Sequence, residues 1–176
     1  HDWGAAVAWA LAFKHPEYLW KLGALQVPPP PIWRQNQTLR QFLASWYMLF
    51  FQIPRLPEYL LERNDFALLA NALKYSTAER NVFSEADIAE YKKSWSEPLA
   101  LTAAINYYRA NFFRMFFKKT RMPPKIKVPT VFIYGDKDAA VLPETVRGVG
   151  RMIDAPFEEF RIPTSAHWVQ QEAADA

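Results

Sequence analysis

The chain has 176 residues, 51% of them hydrophobic and 16% aromatic, which is enough apolar surface for a packed core and excludes a disordered chain. Its 21 Lys and Arg against 18 Asp and Glu leave a charge of +3, too small at this length to mark a nucleic-acid or polyanion partner. With no cysteine and 3 histidines there is no disulfide framework, no thiolate metal site and no cysteine nucleophile, so any catalysis falls to carboxylates, hydroxyls and imidazole.

The chain opens at His1-Asp2-Trp3-Gly4 without a methionine and stops at Ala176 inside a helical pattern, so it reads as part of a longer protein. No leader can be read from such a start, and the apolar runs are broken by charges before they reach spanning length. A membrane anchor upstream stays open. Residues Trp3 to Lys14 are Ala-rich and free of proline, the pattern of a buried helix beginning right after Asp2. His15-Pro16 ends it. Leu22 to Val27 is a short apolar run closed by Pro28 to Pro31, and reads as a buried strand.

From Ile32 to about Lys127 the pattern is helical and crowded with aromatic residues, among them Trp33, Trp46, Tyr47, Phe50, Tyr107, Tyr108 and Phe113. Ser84-Glu85-Ala86-Asp87 predicts a helix start, with Ser84 as the capping side chain and acids near the positive end of the dipole. Glu97-Pro98 predicts the opening of the next helix, Leu99 to Phe117. After the basic stretch Lys118 to Lys127, Val128 to Tyr134 is β-branched and aromatic and runs into Gly135-Asp136-Lys137-Asp138, a strand and its turn. Pro143 to Met152 reads as a helix and Phe157 to Ile162 alternates with period two. His167 follows in a polar loop before another helical start.

Strands alternating with helices predict an α/β fold with a parallel sheet, interrupted by an all-helical insertion. The corresponding blocks are 1–31 (elbow, helix and strand), 32–127 (helical cap) and 128–176 (the rest of the sheet).

Three residues draw attention by position: Asp2 just before a helix, Asp138 just past one strand, His167 just past the next. Loops at the carboxyl ends of parallel strands are where such sheets bind ligands. Taken singly, each has a plain structural reading: Asp2 as a helix cap, Asp138 as a turn residue, His167 as a satisfied surface histidine. Taken together they follow the order nucleophile, acid, base of the α/β-hydrolase triad, with Asp in place of Ser at a strand-to-helix elbow. Gly4 fits the small residue that the elbow needs two positions after its nucleophile. Asp136 competes with Asp138 for the acid role, since Gly-Asp-Lys-Asp offers two carboxylates.

These segments resemble the epoxide hydrolases, most closely the animal branch. His1-Asp2-Trp3-Gly4-Ala5 resembles their nucleophile elbow, Phe132 to Asp138 (FIYGDKD) their acid turn, and Ala166-His167-Trp168-Val169-Gln170-Gln171-Glu172 their histidine loop. Ser45 to Pro54 (SWYMLFFQIP) and Asn106-Tyr107-Tyr108-Arg109 resemble the two cap segments that carry epoxide-activating tyrosines, and alignment places these on Tyr47 and Tyr108. The likeness covers essentially the whole chain. It departs at Ala5, where a second Gly is common, at Gln26-Val27-Pro28-Pro29, which replaces an Asn-x-Pro-His strand end, and at Ser165-Ala166, which replaces a Gly-containing approach to His167.

The resemblance implies the C-terminal part of an α/β-hydrolase sheet with its cap, the N-terminal half of the sheet lying outside this chain. It implies hydrolysis of a small apolar epoxide by water to a vicinal diol through an ester on Asp2. Asp138 would orient His167 as base, Tyr47 and Tyr108 would donate to the epoxide oxygen, and the Trp3 N–H would hold the oxyanion beside a donor from a His-Gly-x-Pro loop upstream. No metal or organic cofactor is needed. The protein would lie in the cytoplasm, or at the endoplasmic-reticulum membrane through a preceding segment. Two other readings share these residues: a dehalogenase in which the Trp3 indole cradles halide, and a non-catalytic fragment. In each case the 176 residues alone are expected to be inactive.

Overall fold

In a computed structural model, residues 1–117 and 123–175 are described. The part of the basic stretch at 118–122, within the expected cap block, lies outside them, as does residue 176. The sheet has three parallel strands, β1 (Leu22–Leu25), β2 (Thr130–Gly135) and β3 (Phe157–Ile162), with β2 in the middle. Leu22 pairs with Thr130 and Leu25 with Ile133, while Thr130 to Gly135 pair with Phe157 to Ile162. β2 is the strand richest in β-branched and aromatic residues, and both its edges are covered, as a central strand requires.

α1 (Trp3–Lys14) packs on this sheet through Ala5, Trp9 and Ala12, one face of the helix. Trp9 is fully buried beside Phe132, and its indole N–H finds the Val27 carbonyl at 2.9 Å, so the ring is buried without an orphaned donor. β1 stops two residues earlier than the apolar run predicts, because Gln26 turns to φ 65° and breaks the ladder.

The crossover from β1 to β2 carries the helical segment: α2 (Pro30–Gln35), α3 (Leu39–Ala44), α4 (Trp46–Phe50), α5 (Leu56–Tyr75), α6 (Glu85–Trp95) and α7 (Ala100–Phe116). α5 is broken at Arg63–Phe66, where Asn64, Asp65 and Phe66 have positive φ. Ser84 caps α6 as expected, in a reciprocal box: the Asp87 N–H donates to Ser84 Oγ at 3.2 Å and the Ser84 N–H to Asp87 Oδ2 at 2.8 Å. Pro98 does not open α7. Leu99 at φ 65° is the cap residue, and Glu97-Pro98 form the turn before it. Among the described residues, no helix is long and apolar enough to cross a membrane.

Two further expectations give way. Pro143 to Met152 is two 3-10 turns, Pro143–Val146 and Val149–Met152, parted by an extended Arg147 and by Gly148 at φ 82°. The buried residues Val146, Val149 and Met152 recur every third position, the period of a 3-10 turn, which an α-helical reading absorbs without noticing. β3 alternates in sequence, but its middle residues are all exposed; it is an edge strand, and its alternation marks no buried face.

Candidate active site

The site is assembled at the carboxyl ends of the strands. Asp2 stands at the entrance to α1 with φ 49° and ψ −127°, a backbone region that costs a non-glycine residue roughly 1–3 kcal/mol. Its side chain makes no helix-capping hydrogen bond, and the Trp3 amide beside it favours the charged form of the carboxylate. Burial raises its pKa above the usual aspartate range, against the opposing pull of His167, while the charge of Asp138 adds to the rise. The carboxylate is therefore harder to ionise than that of an exposed aspartate. A Cβ on Gly4 would meet no described atom within 4 Å, so within these residues crowding is not what selects glycine at the elbow.

His167 is buried, and its Nδ1 lies 2.7 Å from Asp138 Oδ2. The other oxygen of Asp138 accepts from the N–H groups of Ala140 at 2.6 Å and Val141 at 2.9 Å, which fixes the carboxylate. Asp136 is the wrong way round for this role, since it pairs with Arg161 on the outer side at 2.5 Å. Burial alone would lower the His167 pKa. The Asp138 hydrogen bond and charge, with the charges of Asp2 and Glu172, outweigh it and raise the imidazole above its ordinary value. The imidazole is also edge-on to His1 at 4.7 Å, and His1 Nε2 lies 2.8 Å from the His167 carbonyl.

Two elements of the helical segment complete the arrangement. Tyr47 on α4 and Tyr108 on α7 meet edge to face at 5.7 Å, and Trp3 packs against Tyr108 at 5.3 Å. Burial raises the pKa of both phenols, and the charge of Asp2 acts on both in the same direction. Hydrogen bonding from Trp3 favours the phenolate of Tyr108 without reversing that rise. Tyr107, next to Tyr108 on the same helix, is half-exposed beside Trp3. Of the other aromatic residues in the helical segment, Trp33 is buried against Phe116, but Trp46 and Phe113 face outward, 64% and 73% exposed.

Supporting residues that no local pattern announces hold these parts in register. Arg109, next to Tyr108, forms a bidentate pair with Glu58 at 2.6 and 3.1 Å and donates to the carbonyls of Phe51 and Ile53 at 2.9 and 3.0 Å. It thereby ties α7 to the end of α4, and so Tyr108 to Tyr47. Gln26, fully buried, uses its carboxamide as a strand would: Oε1 accepts from the Gly135 N–H at 2.9 Å and Nε2 donates to the Gly135 carbonyl at 3.3 Å.

Gly135 itself runs under the histidine loop. A Cβ there would sit 2.4 Å from the Ala166 carbonyl oxygen and 2.5 Å from that of Ser165. Backbone cannot yield as a side chain does, so Gly135→Ala should push His167 away from Asp138 and lower the melting temperature, a destabilisation of about 1–3 kcal/mol. Thermal unfolding of the variant beside the parent checks this, and an unchanged transition would contradict it.

No protein-family model matches the chain. Among curated proteins it is 35% identical over 174 residues to AB hydrolase superfamily protein YfhM of Bacillus subtilis, covering 98% of this chain and 59% of that protein. It is 32% identical over 174 residues to Epoxide hydrolase 3 of Mus musculus, covering 97% of this chain and 46% of the relative. The chain thus spans about half the length of the curated relatives it matches. Among solved structures, an epoxide hydrolase of Bacillus megaterium in complex with an inhibitor superposes with a TM-score of 0.84 at 25% identity, over 99% of this chain and 63% of the other.

Proposed function

From its likeness to epoxide hydrolases and to an α/β-hydrolase-superfamily protein, we propose that the whole protein opens an epoxide through a covalent ester on Asp2 and releases a vicinal diol. In this reading blocks 1–31 and 128–176 supply nucleophile, acid and base, and 32–127 is a lid that supplies two phenols over the nucleophile. The observation that carries it is the pairing of Tyr47 and Tyr108 edge to face at 5.7 Å, with Trp3, the residue next to Asp2, packed on Tyr108 at 5.3 Å. Two protonated donors facing a carboxylate suit an oxygen leaving group that departs with negative charge.

An Asp2 carboxylate oxygen attacks one epoxide carbon, the carbon–oxygen bond breaks, and the oxygen takes a proton from Tyr47 or Tyr108, leaving a hydroxyalkyl ester. His167 then takes a proton from water through Nε2, and the hydroxide adds to the Asp2 carboxyl carbon. The oxyanion is held by the Trp3 N–H, the amide that already approaches the Asp2 carboxylate. Collapse expels the diol alkoxide, whose proton comes from the imidazolium, and the proton left on the Asp2 carboxyl returns to the tyrosinate, which restores both groups. A dehalogenase would have no use for a pair of phenols beside Trp3, whose ring packs on Tyr108 at 5.3 Å.

Oxygen isotopes test the route. In a single turnover of styrene oxide in water enriched in oxygen-18, the diol should be unlabelled and the label should stay in the Asp2 carboxylate, because the first diol oxygen comes from the protein. Label in the first diol would mean direct attack by water. Halide from a haloalkane without diol from the epoxide would establish the dehalogenase instead. The 176 residues by themselves serve as the blank and are expected to form no diol.

A further inference from the structure

The loop that carries His167 is bound on both sides by one carboxylate. Glu172 Oε2 accepts from the Ala166 N–H at 3.0 Å, and Oε1 accepts from the Trp168 N–H at 3.0 Å, so the residues before and after His167 share a single anchor. The same Oε2 accepts from the Ala78 N–H, in the helical segment, at 2.7 Å. Two further bonds join the same partners: the His167 N–H to the Ser76 carbonyl at 3.1 Å, and the Trp168 indole to Ser76 Oγ at 2.7 Å. The Trp168 ring packs edge-on to Phe83 at 5.5 Å, within the cluster formed by Leu73, Phe83 and Ile88. Glu172 thus gathers three N–H donors from two parts of the chain 94 residues apart, and hydrogen bonds to an ionised acceptor are the strong kind.

Resting on the reading above, we propose that Glu172 is a positioning residue for hydrolysis of the ester: it locks the backbone on either side of His167 to the stretch around Ser76 and Ala78, so that the imidazole keeps its geometry to Asp138. Ester formation does not call on His167, and hydrolysis does. Loss of the anchor should therefore separate the two steps, which a general loss of structure would not.

Glu172→Gln keeps the size but offers one oxygen where two are used, and turns an amino group toward an amide donor. Rapid-quench turnover of styrene oxide by the whole protein, with mass spectrometry of the Asp2 peptide, should show ester forming at close to the parent rate and hydrolysing about 10–100-fold more slowly, so that ester accumulates. The alkaline-rising limb of the hydrolysis rate should also move, because the imidazole no longer holds its place against Asp138. Equal slowing of both steps, or no change in their ratio, would overturn the proposal. Should the Gln variant lose its cooperative unfolding transition, Ser76→Ala, which removes the Trp168 indole acceptor, is read the same way. It should slow hydrolysis alone, by about 3–10-fold, and an unchanged ratio there would equally overturn the proposal. A parent protein that never forms the Asp2 ester would instead remove the mechanism itself.

Discussion

His167→Gln should stop the protein after a single chemical event. The variant is expected to gain the mass of one epoxide on Asp2 and then release diol about 10²–10⁴-fold more slowly than the parent, the range that a general base supplies. The first step asks only for an ionised Asp2 and a proton donor at the epoxide oxygen, neither of which His167 provides. The second asks for hydroxide beside the ester, which His167, held by Asp138, is placed to generate. Mass spectrometry of the intact protein after mixing with styrene oxide reads the outcome directly. Diol release near the parent rate, or no added mass, would remove His167 from the base role.

The same histidine sets the pH dependence. Only neutral imidazole can accept a proton, and its pKa is raised by Asp138 and the neighbouring carboxylates, so ester hydrolysis should fall away on the acid side of a value above the ordinary ~6.5. In Asp138→Asn the hydrogen bond to a charge is gone and burial dominates. The limb should then shift to lower pH, while the maximum rate drops because the ring is no longer oriented.

Replacing Tyr47 and Tyr108 together by Phe should abolish ester formation while leaving the hydrolysis of ester already made. One donor to a developing oxyanion is worth roughly 10²–10³ in rate, so each single variant should lose about that much and the pair more. The rings sit among Phe51, Trp3 and each other, and removal of a hydroxyl leaves that packing in place. Stopped-flow quenching of intrinsic fluorescence on alkylation would report the first step alone. Unaltered ester formation in the double variant would move the proton donor elsewhere. In the parent, burial raises both phenols, so activity should stay flat through pH 10, where an exposed tyrosine titrates.

Much of this architecture lies near the surface of the sequence. The helix after Asp2, the strand before Gly135, the cap of α6 and the alternation of strand and helix all rest on contacts within a few residues, which periodicity and capping chemistry report. The short range also explains why Asp2, Asp138 and His167 could be singled out: each follows or precedes a strand or helix end visible in the chain. What escaped is of two kinds. Gln26 with Gly135, Arg109 with Glu58 and Glu172 with Ala78 are bonds across 109, 51 and 94 residues, and a buried polar side chain leaves no local mark of the distant amide it serves. Pro143 to Met152 failed for another reason: apolar residues at every third position suit both a 3-10 turn and an α-helix, and only Gly148 with its positive φ tells them apart.

The bond from the His167 amide to Ser76 bears on how a reactant gets in and out. A hinged door that swung the helices clear of the sheet would carry the proton acceptor away with it and dismantle the machinery at each opening. On the mechanism proposed here, reactants should instead pass by smaller displacements of individual helices, with the stretch around Ser76 staying seated. Entry and exit are then matters of width, and the molecules admitted are sorted by girth before any bond is made or broken.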